Sequence, residues 1–113
     1  MEMVSRDIDA DVRCISLTGR LDAPGADRID LAFTAATVAW GRQVLVDLSA
    51  VGFIASMGIR LLIASARGLH AKGGQMVLFG AQPLVYTVLD QAALDQIIPL
   101  VGTEQEALAR LAS

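Results

Sequence analysis

The order of hydrophobic and polar positions predicts strands that alternate with helices. Residues 11–19 (DVRCISLTG) alternate between two faces, as a strand does, and the segment near 2–7 should pair with them as an antiparallel hairpin. Residues 43–49 (QVLVDLS) are almost continuously apolar, which is typical of a central strand covered on both faces. The closing DLS of that segment indicates a turn. Residues 75–80 (QMVLFG) should form a further strand.

Between and after these strands, several segments have the spacing of amphipathic helices. Apolar residues recur every three or four positions from Pro24 until Gly41. Further helices are predicted at 57–72, 82–91 and 103–112, the last with a capping box of Thr103 and Glu106. A brief edge strand, in which Pro99 is tolerated, is predicted within 94–100. We therefore expect one α/β domain over residues 1–113, with a mixed, mostly parallel sheet of about four or five strands and about four helices.

Parallel sheets of this kind present ligands and partners at the carboxyl ends of their strands. Three predicted loops should lie at this edge, which we call the carboxyl rim: GRLDAPG (19–25), AVGFIAS (50–56) and GAQP (80–83). The middle loop ends on Ser56, a lone hydroxyl in the apolar stretch FIASMGIRLL (53–62). The function should be sought at this rim.

Composition narrows the possible functions. The 113 residues are 54% hydrophobic and 19% charged, which is typical of a folded chain rather than a disordered one. A formal charge of −3 gives no general attraction to nucleic acid or to anionic lipid. The N-terminal residues do not have the pattern of a signal peptide, and no window approaches the roughly 18 apolar residues of a membrane span. We expect a cytoplasmic protein with no nucleic-acid partner and no membrane insertion.

The chemistry-bearing residues do not form a catalytic constellation. One cysteine, Cys14, and one histidine, His70, are too few for a disulfide or a structural zinc site. Neither common glycine-rich nucleotide motif is present. The sequence therefore predicts no catalytic residues, no metal and no cofactor. A binding module, which needs only a shaped surface and a switch, is favoured over an enzyme.

Ser56 has two interpretations. As a helix N-cap, its oxygen would accept a hydrogen bond from a backbone N–H, a bond typically worth about 1 kcal/mol. As a phosphate acceptor, it would hold the added charge where N–H donors and the helix dipole favour an anion. Under either interpretation we expect Ser56 to be the N-cap of its helix.

The helix predicted at 57–72 has two distinct faces. An inward stripe contains Ile59, Leu62, Ile63, Ala66 and Leu69. A second face carries Met57, Arg60, Ala64, Arg67 and Ala71. This second face is either an ordinary solvated surface or a docking surface, in which Met57 supplies an adaptable apolar contact and the arginines bind carboxylates. We favour the docking surface.

Three segments resemble the STAS domain, the fold shared by bacterial anti-sigma factor antagonists and the cytosolic tails of sulphate transporters. They are LTGRLDAPGADRI (17–29), VLVDLSAVGFIASMGIRLLIASARGLHAKGGQMVLFGA (44–81) and VLDQAALDQIIPLVGTEQEALARL (88–111). The most specific parts are the Leu-Thr-Gly-x-Leu-Asp turn and the Asp-Leu-Ser-x-Val-x-Phe-x-x-Ser-x-Gly passage. With no transporter helices attached, the free-standing antagonist type is the nearer relative.

The resemblance implies a function and a set of site residues. An unmodified antagonist binds an anti-sigma factor, often a serine kinase, and so frees the sigma factor. Phosphorylation of the serine that matches Ser56 ends the binding. Asp22, by family match, belongs to the surface around that serine, although it could equally cap the turn before Pro24. The predicted partner-binding residues are Asp22, Ala55, Met57, Gly58, Arg60, Ala64 and Arg67.

This chain departs from the family pattern beside the acceptor serine. The family passage usually reads Asp-Ser-Ser/Thr-Gly, whereas this chain reads Ala55-Ser56-Met57-Gly58. Losing a carboxylate on a partner-facing loop removes charge complementarity and favours hydrophobic contact. The alternative function is a STAS adaptor that binds a transport ATPase or a signalling scaffold, with Ser56 never modified.

Overall fold

A five-stranded sheet forms the centre of the computed structural model, which describes residues 1–112. In chain order the strands are β1 (Glu2–Asp7), β2 (Val12–Leu21), β3 (Gln43–Ile54), β4 (Gln75–Phe79) and β5 (Leu100–Val101). They lie side by side in the same order, with β1 antiparallel to β2 and every other pair parallel. The expectation of a mixed, mostly parallel sheet is confirmed.

Helices connect the parallel strands and cover both faces of the sheet. They are α1 (Ala23–Thr34), α2 (Ser56–Ala71), α3 (Pro83–Gln91) and α4 (Glu104–Ala112), and a π-helical turn (Ala35–Ala39) extends α1. The first three helices pack on one face of β3, against Val44, Val46 and Leu48, whereas α4 packs on the other face, near Leu45. Because both faces of β3 are buried, its sequence is almost continuously apolar, as predicted.

The hairpin of β1 and β2 forms where the sequence predicts it. The Asp9 carboxylate accepts hydrogen bonds from the backbone N–H groups of Asp11 at 2.7 Å and Val12 at 2.9 Å, which closes the turn. Arg13 of β2 reaches across to Asp7 of β1 at 2.7 Å. A short aspartate turn and a cross-strand ion pair therefore fix this register.

The third strand is longer than predicted. It continues to Ile54, so the predictions of a turn at DLS and of a loop over 50–56 are wrong. The cause is a pair of bulges: Ser16 pairs with Asp47 but Thr18 pairs with Ala50, and Gly19 pairs with Val51 but Arg20 pairs with Phe53. Each bulge inserts an extra residue into β3 and interrupts the alternation that identifies a strand.

Side chains at the first bulge satisfy its backbone. The Asp47 carboxylate accepts a hydrogen bond from the backbone N–H of Ser49 at 2.9 Å. The side-chain amide of Gln82, which precedes α3, donates to the carbonyl of Ser49 at 2.9 Å. A polar Asp-x-Ser sequence that indicated a turn therefore belongs to a bulged strand.

The segment predicted as one helix up to Gly41 changes geometry after Thr34. The π-helical turn follows, and in it the buried Thr37 hydroxyl donates to the carbonyl of Phe33 at 2.7 Å. A Cβ at Gly68 of α2 would lie 2.9 Å from Cγ2 of Val38, so α2 and the π-helical turn approach closely at this glycine. Gly68 thus has a packing role inside the domain.

The predicted cap of the last helix is present, but the edge strand before it starts later than predicted. The Thr103 hydroxyl accepts a hydrogen bond from the N–H of Glu106 at 3.1 Å and lies 3.3 Å from the Glu106 carboxylate, so the cap of α4 forms. The prediction of an edge strand within 94–100 is wrong in its bounds: Leu94–Gln96 form a 3₁₀ turn, and β5 starts at Leu100, directly after Pro99, with only two residues.

Candidate functional site

Two helices start side by side at the carboxyl rim. Leu21, the last residue of β2, pairs with Ile54, the last residue of β3. The next residues, Asp22 and Ala55, are the N-caps of α1 and α2. The Ala55 N–H donates to the Leu21 carbonyl at 3.1 Å, which ties the start of α2 to the end of β2.

Ser56 is the first residue of α2, and its side chain is exposed. The prediction that it caps the helix is wrong, because Ala55 occupies the cap position. The carbonyl of Ala55 accepts the N–H of Ile59 at 3.1 Å, and its backbone is extended. Within residues 1–112 the Ser56 hydroxyl makes no hydrogen bond to another group of the protein. The hydroxyl therefore remains available to a modifying enzyme.

The start of α2 has no side-chain cap. The first N–H groups of a helix lack partners within the helix, so those of Ser56, Met57 and Gly58 depend on solvent or on an added acceptor. The first turn of α2 also contains no acidic residue. The positive end of this helix dipole is therefore left uncompensated by the protein's own side chains.

Asp22 is bound to its own helix. Its carboxylate accepts the N–H of Gly25 at 2.9 Å and pairs with Arg20 at 3.2 Å. The Gly25 N–H in the first place, and Arg20 in addition, hold the pKa of the Asp22 carboxyl below its usual range. The capping interpretation of Asp22 is confirmed, and a contact with a partner remains a proposal.

Arg20 and Phe53 form a rim contact that the sequence interpretation missed. The Arg20 guanidinium lies 4.1 Å from the centroid of the Phe53 ring, and the two residues are paired between β2 and β3. Their position could not be inferred, because the sequence pattern assigned 50–56 to a loop instead of a strand. This exposed arginine adds a positive charge to the rim close to the start of α2.

The outer face of α2 is exposed as predicted. Met57 is 46% exposed, and Arg60, Ala64 and Arg67 are exposed along the same helix. The Arg60 guanidinium lies 3.9 Å from the Met57 sulphur. On this surface the apolar Met57 lies beside the positive charge of Arg60, a combination suited to protein recognition.

A groove between α1 and α2 brings some of the predicted residues together. Met57, Arg60 and Ala64 line it from α2, and Asp27 and Asp30 line it from α1. The two aspartates were not predicted, although their spacing of three on an exposed helix face could have indicated them. The groove therefore has an acidic wall, a basic residue and an apolar base.

Three other predicted partner residues lie outside this groove. Arg67 does not line this groove and instead lines a hollow with His70 and Ile97, farther along α2. Gly58 is buried. A Cβ at this position would overlap the Leu21 carbonyl and lie 2.6 Å from the Leu21 Cγ. Gly58 therefore serves the packing of α2 on β2, and Ala55 is half-buried beside it.

Residues 1–112 contain no cluster of three or more histidine, cysteine, aspartate or glutamate side chains that could hold a metal ion. Cys14 is buried, and burial raises the pKa of its thiol. Among the same residues, no helix is long and apolar enough to cross a membrane.

A family model described as the STAS domain matches residues 4–107. The chain belongs to the STAS domain family. This STAS chain is 27% identical over 103 residues to the anti-sigma F factor antagonist of Paenibacillus polymyxa, a match that covers 88% of the chain and 86% of the relative.

Solved structures agree with this assignment. The STAS chain is 31% identical to an anti-sigma-factor antagonist (STAS) domain protein from Planctomyces limnophilus, with a TM-score of 0.86 and 98% of each chain covered. It is 27% identical to an anti-sigma factor antagonist from Mycobacterium paratuberculosis, with a TM-score of 0.88 and coverage of 99% and 94%. The resemblance and the fold class inferred from the sequence are confirmed.

Proposed function

We propose that this STAS protein is an anti-sigma factor antagonist, a cytoplasmic regulator that binds an anti-sigma factor and so releases a sigma factor. The names of its relatives support this function. The exposed rim around Ser56 and the groove between α1 and α2 supply the surface it needs. The protein acts by binding rather than by catalysis.

Phosphorylation of Ser56 switches this binding off. The observation that carries this step is an exposed hydroxyl, without a partner in residues 1–112, on a helix start that has no side-chain cap. The Ser56 oxygen attacks the γ-phosphorus of ATP, ADP leaves, and the hydroxyl proton passes to a base of the kinase. The phosphate adds a charge of about −1.5 to −2 beside the free N–H groups of α2. The kinase and its ATP belong to the partner, so this chain is the substrate.

The groove sets the chemistry of the partner surface. Asp27 and Asp30 favour basic side chains on the partner, and Arg60 favours a carboxylate. Met57, half-exposed in the same groove, favours an apolar residue. A phosphate on Ser56, directly before Met57, would bring negative charge into that apolar contact. Binding the partner would then remove water from the charged phosphate, which has a high cost in binding free energy.

The experiment uses the purified protein with an anti-sigma factor kinase from the same organism. With ATP, intact-mass measurement should show one added phosphate on the wild type and none on Ser56→Ala. The matched control is Ser5→Ala, which removes another exposed serine and should still gain one phosphate. In calorimetry, Ser56→Asp should weaken the complex by about tenfold or more, which corresponds to ~1.4 kcal/mol.

A different result would favour the adaptor function. Ala55 and Met57 stand where relatives of the antagonist type usually carry a carboxylate and a hydroxyl, and Met57 is exposed. A protein that gains no phosphate, and that co-purifies with a transport ATPase or a signalling scaffold, would be an adaptor whose Ser56 is not modified. Phosphorylation that persists in Ser56→Ala would place the switch at another residue.

A further inference from the structure

The two edges of the sheet differ in how they are protected against pairing with another strand. At one edge, β5 is two residues long and follows Pro99, which has no N–H to donate to a neighbouring strand. At the other edge, β1 has six residues, contains neither proline nor lysine, and keeps an unshifted register with β2 from Glu2 to Asp7. Shortness, proline, lysine and bulges protect many edges and are absent from β1, whose protection is limited to the charged side chains of Glu2, Arg6 and Asp7.

The backbone of β1 presents a row of open hydrogen-bonding groups. The N–H of Ile8 donates to the Val12 carbonyl at 2.8 Å, so Ile8 points toward β2. Backbone groups alternate in direction along a strand, so Val4 and Arg6 also point toward β2, whereas Met3 and Ser5 point outward. No strand of the described residues lies beyond β1. The outward N–H and C=O groups can therefore pair with an incoming strand.

The side chains of β1 are complementary to a second copy of themselves. Glu2, Val4 and Arg6 lie on one face of the strand, and Val4 is 66% exposed. In an antiparallel pair centred on Val4, the two Val4 side chains face each other and each Glu2 lies opposite Arg6 of the second copy. The same register brings Met3 opposite Ser5, so the outward backbone groups form hydrogen-bonded pairs.

The ion pair already present at Arg6 is compatible with this register. One guanidinium nitrogen of Arg6 binds Glu104 of α4 at 2.6 Å, and the Arg6 side chain is 58% exposed. A guanidinium carries five N–H donors, so Arg6 can bind Glu104 and a second carboxylate together. Arg6 held by Glu104 is thus already positioned on the edge.

We propose that β1 pairs antiparallel with β1 of a second copy of this chain, which gives a two-fold dimer with one continuous sheet. The contact is isologous, so it closes after two copies and does not propagate. β2 separates this edge from β3 and Ser56, so both rims stay accessible in the dimer. The dimer thereby presents two partner-binding surfaces.

The experiment measures the mass of the purified full chain in solution, by light scattering and by sedimentation, over a wide range of concentrations. The wild type should be a dimer that dissociates on dilution. Glu2→Arg sets positive side chains opposite each other and should raise the dissociation constant at least about tenfold. Adding Arg6→Glu to it restores opposite charges across the edge and should regain part of the lost affinity, because the same change also gives up the ion pair of Arg6 with Glu104. Asp90→Arg, an equal charge change on the exposed surface of α3, should leave the dimer intact.

A second variant tests the backbone contact while keeping the fold. Ser5→Pro removes an outward N–H that the hairpin with β2 does not use, and proline is tolerated at an edge. It should give a folded monomer, as judged by an unchanged circular dichroism spectrum. A wild type that is monomeric at every concentration would overturn the proposal, and so would a dimer that persists in both Glu2→Arg and Ser5→Pro.

Discussion

Helices α1 and α2 start next to each other, at the ends of neighbouring strands, but only α1 has a side chain that caps its first turn. Asp22 binds the N–H of Gly25 in α1, whereas Ala55 offers no side-chain acceptor to α2. A side chain of the protein compensates the first helix start, and the second is left open beside an exposed serine. The first N–H groups of α2 can therefore accept an added anion, whereas Asp22 already supplies an acceptor to α1.

The largest expected effect comes from adding a methyl group where α2 packs on the end of β2. Gly58→Ala should lower the free energy of unfolding by about 1–3 kcal/mol, because the new methyl group would overlap the Leu21 carbonyl at the end of β2. Urea denaturation measures the change. Gly52→Ala is the matched control, since a Cβ there meets no atom within 4 Å. Equal midpoints for the two variants would contradict the close packing of α2 on β2.

A smaller effect should follow from giving α2 the cap that α1 has. The backbone of Ala55 has φ −131° and ψ 177°, which suits an N-cap residue. Ala55→Asp should therefore raise the free energy of unfolding by about 1 kcal/mol. Ala64→Asp, which adds the same charge to the middle of α2, should give no such gain. If Ala55→Asp does not stabilise the protein, the first N–H groups of α2 do not lack hydrogen-bond acceptors, and the comparison with α1 fails.

The smallest expected effect is the pH dependence that Asp22 gives to α1. Because its pKa is lowered in the folded state, its contribution to stability is present above the unfolded pKa of about 4 and is lost as pH falls through the lower folded value. Asp22→Asn keeps a capping oxygen but cannot titrate. The variant should therefore lose less stability than the wild type on acidification, as followed by urea midpoints.

A control carboxyl keeps this comparison specific. Arg13 lowers the pKa of Asp7 through a direct hydrogen bond, so Asp7→Asn should reduce the acid dependence in the same direction without touching the cap of α1. Additive effects of the two substitutions would indicate independent groups. If Asp22→Asn leaves the acid dependence unchanged, the Asp22 carboxyl has the same pKa in the folded and unfolded states, which would contradict the prediction.

The elements that sequence periodicity could predict are those whose pattern is purely local. The hairpin of β1 and β2, the buried start of β3 and the face of α2 that carries Met57 and Arg60 all follow from spacing. The bulged half of β3 does not, because a bulge is defined by pairing with β2 and interrupts the alternation. The cap at Ala55 was missed for a related reason: serine is preferred at N-caps, but the length of β3 decides which residue occupies that position.

The candidate site could be predicted in part. The resemblance indicated Ser56 and its surroundings, and helical spacing indicated the exposed face of α2. The approach of α1, which brings Asp27 and Asp30 into the groove, depends on tertiary packing. The contact of Gly58 with Leu21 likewise depends on how closely α2 lies on the end of β2, and no one-dimensional pattern reports that distance.

The two bulges of β3 have a consequence for insertions and deletions in this chain. Side chains of a strand alternate between the α1–α3 face and the α4 face, so the number of residues between Asp47 and Ile54 sets which face every later residue meets. Losing one residue there would turn Ile54 away from its core and rotate the hydroxyl of Ser56 with it. Losing one residue at each bulge would preserve the parity, and the sheet could close over a shorter strand.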